Sequence, residues 1–447
     1  MKMTEKKLFL ILIAVLLSLT AGCRNMLGEE FFGSTSTSPA KETESPVGSP
    51  GTSETIQIKM YQYKPEYNDA VEKAAAEFSK ENEKIKITVK SAKSGEDYMT
   101  TLKTLLNSGD QPDLFNIGRM DDLFELKDKL SDLSDLEAVQ YANKDSLKGV
   151  AIEDKIYGTP YNMEGFGFIY NKEMFEKAEI DIPSLDSFMA LEDAVKKLDK
   201  QKENIKIEAV FAFPVKDFQI TGIHMSNAFI SPEFEGDVLK VYQSKNIEFI
   251  LSDAFRKLVD LQLKYSVTPV SEIDNKKQIE YFVDEKIAII LQGNWIYSMI
   301  EAKNKEFAEK IDMLPFFVDG LSKLNHSVGV PMYWAINNSS KEEVKEACKD
   351  FLNWLYISDG GEKIIREDFK FVPAYMAFAA DVVKDPLGKC VFAKSSTGDV
   401  ISYVFMGYPN EWGTKTLGAD IYRYANGELS WDKVIENAKK EWNKQRQ

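Results

Sequence analysis

The chain has 447 residues, and its 71 acidic against 56 basic side chains give a formal net charge of −15. Hydrophobic residues make up 44% and aromatic residues 12%, a composition typical of folded proteins that excludes a disordered chain. The length favours more than one hydrophobic core, and the acidic balance argues against nucleic-acid binding. Two histidines, His224 and His326, and three cysteines are too few for a zinc ribbon or a histidine-built metal site, so we expect no metal and no cofactor.

The N-terminus carries a targeting signal. Three lysines within the first seven residues precede an uninterrupted apolar run at 8–17, which is too short to span a bilayer and predicts a signal peptide over 1–22. The stretch 19–23 resembles a bacterial lipobox, although Thr20 stands where leucine is usual. The resemblance implies acylation of Cys23 and a lipid anchor on the extracytoplasmic face of the bacterial cell membrane. An unacylated secretory signal with an incidental cysteine is the alternative.

A polar segment follows the anchor. Gly, Ser, Thr or Pro occupies 17 of the 23 positions from 33 to 55, and such a composition cannot bury enough apolar surface to become ordered. The sequence therefore predicts a flexible tether over 23–55. The negative net charge makes adsorption to anionic lipid unfavourable, so the acyl chains would hold the protein at the membrane.

Strand and helix patterns then alternate along the chain. Strand, helix, strand, helix and strand are predicted in turn at 56–60, 67–78, 85–89, 99–106 and 113–117. Further patterns predict strands at 167–170, 209–213 and 287–291 and helices at 187–198 and 341–355. This alternation indicates an α/β fold. Cys348 lies on the apolar stripe of the last of these helices and is predicted to be a buried hydrophobic residue, with a Cys348–Cys390 disulfide as the alternative.

Five stretches occur in the order found in a known family. They are 111–115 (QPDLF), 155–172 (KIYGTPY through YNK), 285–295 (EKIAI through GNW), 337–361, and 427–442 (GELSW through Trp442). In these stretches the chain resembles the extracellular solute-binding proteins of bacterial ABC importers, in the carbohydrate-binding group that includes maltose-binding protein. Glu285 departs from the glycine usual in that family.

The resemblance implies a type II periplasmic-binding-protein-like fold of two α/β lobes, with ligand bound in the cleft between them. The implied ranges are 56–160 with 318–370 for the first lobe, 165–313 with 374–447 for the second, and 161–164, 314–318 and 371–374 for three hinge crossings, two of which contain Pro315 and Pro373. The implied function is capture of a carbohydrate, with an oligosaccharide as the first expectation, and its delivery to ABC permease subunits. We expect a monomer that binds no nucleic acid.

Three residues are the leading candidates for contact with a sugar. Trp295 follows a buried strand and Gly293, so it should emerge at a strand's carboxyl end, and the resemblance implies that it stacks on a sugar ring. Glu164 lies in the first crossing and matches a family acid that accepts sugar hydroxyls. Trp412 aligns with a second stacking aromatic residue. The alternatives are a tryptophan packed at a lobe edge, a solvated hinge carboxylate and a loop anchor, respectively.

Five weaker candidates complete the predicted site. Asp121 and Arg119 follow the third strand and match family polar contacts by region, with a solvated surface as the alternative. Tyr63, Tyr333 and Trp334 are candidates for the rim of the cleft.

Enzymatic function receives little support from the sequence. No nucleophile elbow, zinc-binding HExxH, Walker loop or calcium loop occurs, and chance pairs among 71 acidic residues do not identify a glycosidase. We therefore predict a non-enzymatic receptor. A non-sugar solute such as a polyamine or a phosphate ester on the same scaffold, and a surface carbohydrate-processing enzyme, remain the alternatives.

Overall fold

The computed structural model describes residues 55–93, 96–321, 325–398 and 400–447. The predicted signal peptide, the predicted lipidation site Cys23 and all of the predicted tether except Thr55 lie outside these ranges. Among the residues described, no helix has both the length and the apolar character needed to cross a bilayer.

The first sheet contains five strands in the order β2-β1-β3-β11-β6. They are β1 (Ile56–Gln62), β2 (Ile85–Ser91), β3 (Leu114–Ile117), β6 (Thr159–Pro160) and β11 (Tyr333–Ile336). Strands β1, β2 and β3 are parallel, and β11 runs antiparallel to both β3 and β6. The carboxyl ends of the three parallel strands therefore meet at one edge of the sheet, where open α/β sheets bind ligands.

The second sheet is built around one long strand. Strand β7 (Glu164–Asn171) is buried along its entire length and pairs antiparallel with β8 (Ile289–Gly293), β9 (Ile311–Leu314) and β10 (His326–Gly329). Strand β12 (Val400–Ser402) extends the sheet through parallel pairing with β10. A separate hairpin joins β4 (Ala151–Ile152) to β5 (Lys155–Ile156).

Helices cover both sheets. The α-helices are Asn68–Glu81, Tyr98–Leu106, Met120–Leu126, Glu137–Tyr141, Lys172–Lys177, Phe188–Lys200, Lys202–Ile205, Ser226–Ile230, Val238–Gln243, Ser252–Lys264, Asn275–Val283, Tyr297–Lys303, Lys305–Ala308, Glu342–Ile357, Asp359–Ile364, Pro386–Thr397, Ala419–Ala425 and Trp431–Gln445. Three π-helical turns, at Ile220–Met225, Ile365–Phe369 and Trp412–Gly418, interrupt the described part of the chain.

The α/β fold and most of its predicted elements are confirmed. The segment 209–213 is an exception, because it forms single bridges from Ala209 to Ile287 and from Phe211 to Ser266 rather than a regular strand. Cys348 is fully buried, as predicted, and Cys348 and Cys390 are both free thiols.

Three short segments connect the two sheets. The chain leaves β6 for β7 through 161–163, returns from β10 to β11 through 330–332, and passes through 371–374 before the helix Pro386–Thr397, which packs on the second sheet. Hydrogen bonds join these segments, since Tyr161 N donates to Met332 O at 3.0 Å and Met163 N donates to Val372 O at 2.7 Å. The three segments thus lie side by side as one bundle.

The predicted crossing at 314–318 is wrong. After β9 the chain turns back, with Phe316 N donating to Asn325 O at 2.9 Å, and re-enters the second sheet as β10. Because β10 belongs to the second sheet, the range 318–370 does not lie wholly on the first one. Pro331, rather than Pro315, lies in the crossing.

Candidate functional site

A cavity of about 490 Å³ lies between the carboxyl ends of β1 and β3 on one side and residues on the second-sheet side of the molecule on the other. Its lining includes Tyr63 and Lys64 after β1, Gly118 and Arg119 after β3, and Pro331 from a crossing segment. A more open hollow of about 730 Å³ lies at the opposite, amino end of the first sheet. The smaller cavity is the candidate site, because residues from both sides of the molecule converge on it.

We call the first-sheet side of the cavity the polar wall, comprising Tyr63, Lys64, Asn116, Arg119 and Asp122. Its backbone is held by side chains, because Tyr63 N donates to Asn116 Oδ1 at 2.9 Å and Lys64 N donates to Gln62 Oε1 at 2.8 Å. Tyr63 is 44% exposed, so its ring can contact a ligand at the edge of the cavity. Polar groups are thus fixed before any ligand enters.

A buried ion pair spans the floor of the cavity. Lys64 Nζ lies 2.5 Å from Glu164 Oε1, and their side chains are 10% and 8% exposed. Burial alone would lower the pKa of Lys64, but attraction and hydrogen bonding to Glu164 raise that pKa above its usual value. Asn162 Nδ2 donates to the same Oε1 at 3.3 Å. Both contacts use Oε1, so Oε2 of Glu164 is the oxygen suited to accept a hydrogen bond from a ligand hydroxyl.

The charges on the cavity lining, including those of the ion pair, are predominantly negative. Five carboxylates and two cations line it, namely Glu96, Asp97, Asp122, Glu164 and Glu411 against Lys64 and Arg119. Lys64 is paired with Glu164, and Arg119 Nη2 donates to Tyr408 O at 2.6 Å and contacts Asp121 at 3.2 Å, so both cations already have a partner, and only the buried Nε of Arg119 is left without one among the described residues. Burial raises the pKa of Asp122, which accepts from Arg119 N at 2.9 Å. This balance disfavours an anionic ligand.

We call the opposite side the aromatic wall, comprising His224 and Phe405 on the cavity with Trp295 and Phe166 beside them. The His224 ring centroid lies 4.9 Å from those of Trp295 and Phe405 and 5.3 Å from that of Phe166. Trp295 is half-buried, and its ring lies over Gly293, where an added Cβ would come within 1.9 Å of the indole. Glycine at 293 therefore makes room for the tryptophan. Trp295 contacts His224 but is not itself part of the cavity lining.

Trp412 is not a cleft residue, contrary to the sequence-based expectation. Its side chain is fully buried, and its Nε1 donates to Ala438 O at 2.8 Å. The rings of Trp442 and Tyr408 lie against it at centroid distances of 4.8 and 5.1 Å. With the last helix packed over it, no face remains for a sugar, and Trp412 anchors that helix to the core.

The two rim candidates on β11 are also buried. Trp334 donates from Nε1 to Tyr356 OH at 2.9 Å, and its ring packs edge-on against Tyr161. Tyr333 donates to Ser146 O at 2.8 Å and lines a separate cavity of about 70 Å³. All four residues of β11 are buried, and neither Tyr333 nor Trp334 lines the candidate site, which excludes both residues from its rim.

Four predicted residues do gather at the candidate site, since Glu164, Arg119 and Tyr63 line the cavity and Trp295 lies beside it. Asp121 instead faces Arg119 and Arg446, at 3.2 and 3.7 Å, outside the cavity lining. Its carboxylate thus joins helix Met120–Leu126 to the C-terminal residues through Arg446.

Sequence reasoning missed several lining residues. Lys64 and Asn116 could have been found, because they stand at the carboxyl ends of two predicted strands. His224 and Phe405 had no comparable signal. They lie in a π-helical turn and a short 3₁₀ turn, remote in sequence from each other, and only the fold brings them together.

Two curated proteins are similar to part of this chain. A xylose/arabinose-binding protein, XacG, from Haloferax volcanii is 27% identical over 202 residues, which is 41% of this chain and 41% of that protein. A multiple sugar-binding protein from Streptococcus mutans is 24% identical over 268 residues, 56% of this chain and 60% of that protein. The chain thus matches less than two thirds of the length of either relative.

Solved structures share the fold over nearly the whole described chain. The apo form of RafE from Streptococcus pneumoniae has a TM-score of 0.71 at 19% identity and covers 89% of this chain and all of that chain. The family model for bacterial extracellular solute-binding proteins matches residues 73–388, well over half of the sequence. Two sheets joined by three crossings that lie side by side, with a cavity between the sheets, agree with that match, and the chain belongs to the bacterial extracellular solute-binding proteins.

Proposed function

We propose that this protein captures a carbohydrate in the cavity between its two sheets and delivers it to the permease subunits of an ABC importer. The observation that carries the proposal is the pairing of a polar wall with an aromatic wall across one cavity. The C–H faces of a sugar can stack on aromatic rings, while its hydroxyls need hydrogen-bond partners once water is excluded. An oligosaccharide remains the first expectation.

Within this proposal each wall has a distinct task. Glu164, held by Lys64, accepts hydrogen bonds from sugar hydroxyls at the floor, and Arg119 and Tyr63 contact the ligand on the polar side. Trp295 supplies an apolar surface on the other side, reached as the cavity adjusts around the ligand. The three connecting segments act as the hinge between a first lobe on the first sheet and a second lobe on the other, and small torsional changes there would close the cavity.

The relatives support the class of ligand. The names of the two curated relatives refer to xylose, arabinose and multiple sugars, and one solved structure shows RafE in complex with raffinose. The negative balance of the cavity lining speaks against a phosphate ester, which would require free cations. A polyamine is compatible with the negative charge of the lining, but it has no acceptor for the hydrogen-bond donors of the polar wall.

The proposed location follows from the family and the N-terminus together. Extracellular solute-binding proteins act outside the cytoplasm, and the stretch 19–23 resembles a lipobox. Acylation at Cys23 would hold the protein on the extracytoplasmic face of the membrane, and the tether would let the folded part reach the permease.

The proposal is tested by thermal denaturation with a panel containing xylose, arabinose, raffinose, a uronic acid, a sugar phosphate and spermidine, followed by chromatography of each sugar. We expect stabilisation by at least one neutral sugar, worth about 2.7 kcal/mol at 100 times its dissociation constant, with the sugar recovered unchanged. Stabilisation by only the phosphate or only spermidine would contradict the proposal. Release of a product would favour the carbohydrate-processing alternative.

A further inference from the structure

His224 occupies a rigid position on the aromatic wall. It lies in the π-helical turn Ile220–Met225, which packs against a second such turn, Trp412–Gly418. The two turns meet at glycines, since a Cβ added to Gly222 would come within 1.9 Å of Gly413 O. Only glycine permits this approach of the two backbones. The approach places Ile223, His224 and Gly413 together on the cavity lining.

The imidazole of His224 has an unused hydrogen-bonding atom. Its Nδ1 is buried and has no partner within the described protein, although the residue lines the cavity. Its neighbours are the rings of Phe166, Trp295, Tyr403 and Phe405, and the Tyr403 hydroxyl does not bond to it, because that hydroxyl is itself buried without a partner among the described residues. A buried polar atom without a partner is costly, and a ligand in the cavity could remove that cost.

The charge state of the ring restricts what that ligand can be. Burial lowers the pKa of His224 to about 4; Glu164 opposes this shift and Lys64 adds to it, and these are the two charged groups that act on the ring. The imidazole is therefore neutral at pH 7, with one nitrogen donating and the other accepting. A hydroxyl group can serve either nitrogen, whereas a carboxylate or phosphate only accepts and an ammonium only donates.

We propose that His224 is a specificity-determining residue that forms a hydrogen bond to one particular hydroxyl of the bound sugar. The inference rests on the proposed function and deepens it. The aromatic rings around His224 bind any apolar sugar face, and the imidazole adds a requirement for a hydroxyl at one ring position. A site that hydrogen-bonds a ligand hydroxyl strongly rejects an analogue without that hydroxyl. An apolar pocket rejects an analogue with an additional hydroxyl far less strongly.

The test compares His224→Phe with His224→Asn by calorimetric titration. The probes are whichever of xylose, arabinose and raffinose stabilises the wild-type protein most, and its series of single-deoxy analogues. We expect His224→Phe to weaken binding of the parent sugar about 10-fold or more and His224→Asn to weaken it less. One deoxy analogue should bind the wild-type protein weakly but bind His224→Phe no worse than the parent sugar does. Such non-additivity identifies a direct contact.

His326→Asn is the matched control, because His326 is buried beside Cys390 and does not line the cavity. It should leave the affinity for the parent sugar unchanged. Wild-type affinity in His224→Phe, or equal losses for the parent and every deoxy analogue, would overturn the role of His224 while leaving the proposed function intact. If the wild-type protein binds none of the three sugars, the proposed function fails and this inference fails with it.

A pH titration of binding gives a second readout. A neutral imidazole with a pKa of about 4 predicts constant affinity between pH 8 and about 5.5. Loss of affinity as the pH rises through about 6.5 that disappears in His224→Phe would show instead that the charged ring takes part, and would contradict the neutral-hydroxyl contact.

Discussion

The polar wall and the aromatic wall of the cavity are assembled in different ways. The polar wall consists of short segments that leave adjacent parallel strands, so its residues are neighbours because the strands are. The aromatic wall combines residues from β7, a π-helical turn, the segment after β8 and a 3₁₀ turn. Residues of the polar wall are therefore brought together by sheet topology, whereas residues of the aromatic wall are brought together by tertiary packing of remote segments.

The largest effect is expected at the floor between the walls. Lys64→Met leaves the buried carboxylate of Glu164 without its cation, and breaking such a pair costs roughly 3–5 kcal/mol. We expect the urea midpoint of the ligand-free protein to fall accordingly. Two neutral side chains need no charged partner when buried, so the double variant Lys64→Met with Glu164→Gln should recover much of the lost unfolding free energy. Equal loss in the single and double variants would show that packing of Lys64, and not the ion pair, stabilises the floor.

The aromatic wall should respond in affinity rather than in stability. If Trp295 provides a stacking surface, Trp295→Ala should weaken sugar binding by roughly 1–3 kcal/mol, about 5- to 150-fold, while changing the urea midpoint little. Calorimetric titration and denaturation of the same samples measure both quantities.

Trp412→Ala is the matched control for that variant. Its ring is fully enclosed, so truncation should cost roughly 3–5 kcal/mol of unfolding free energy while the folded protein keeps its sugar affinity. A stability loss at Trp295 similar to that at Trp412 would mean that Trp295 is a core residue too.

The histidine outside both walls should control part of the acid sensitivity. Burial lowers the pKa of His326 to about 4, below the ordinary value of about 6.5 that it regains on unfolding. The unfolded chain then binds more protons between pH 6.5 and 4, so the unfolding free energy falls as the pH falls through that window. The contribution at pH 5 is roughly 1–2 kcal/mol. Urea denaturation at pH 7.5 and pH 5 should show a smaller difference for His326→Asn than for the wild-type protein.

The smallest effect is expected at Asp121. Its carboxylate contacts Arg119 and Arg446 at partly exposed positions, and such pairs are worth less than about 1 kcal/mol. Asp121→Asn should therefore lower stability slightly and leave sugar affinity unchanged. A marked loss of affinity would restore Asp121 to the binding site.

These contrasts also show how much the sequence could predict. Apolar periodicity predicted β1, β2, β3 and β7 because each carries a local apolar pattern, and the order of motifs predicted the family. The resemblance to the family placed Glu164 and Arg119 at the cleft, and both line the cavity. Trp412 was misplaced because its sequence does not reveal that the helix Trp431–Gln445 covers it.

The hinge was misjudged for a related reason. Pro315 follows a strand, as a residue leaving a sheet would, but β9 and β10 both pair with β7, so the chain stays in the second sheet until Gly329. Strand pairing over such distances is decided by packing rather than by local pattern. The same applies to His224, whose neighbours are distant in sequence.

Hydrogen–deuterium exchange with and without the best-binding neutral sugar would show whether both walls bind the ligand. We expect ligand-induced protection in peptides from both walls, around 62–66 and 116–120 on the polar side and around 220–226 and 293–297 on the aromatic side, with no product formed. Protection confined to one wall, or centred on the hollow at the amino end of the first sheet, would contradict binding between the two walls.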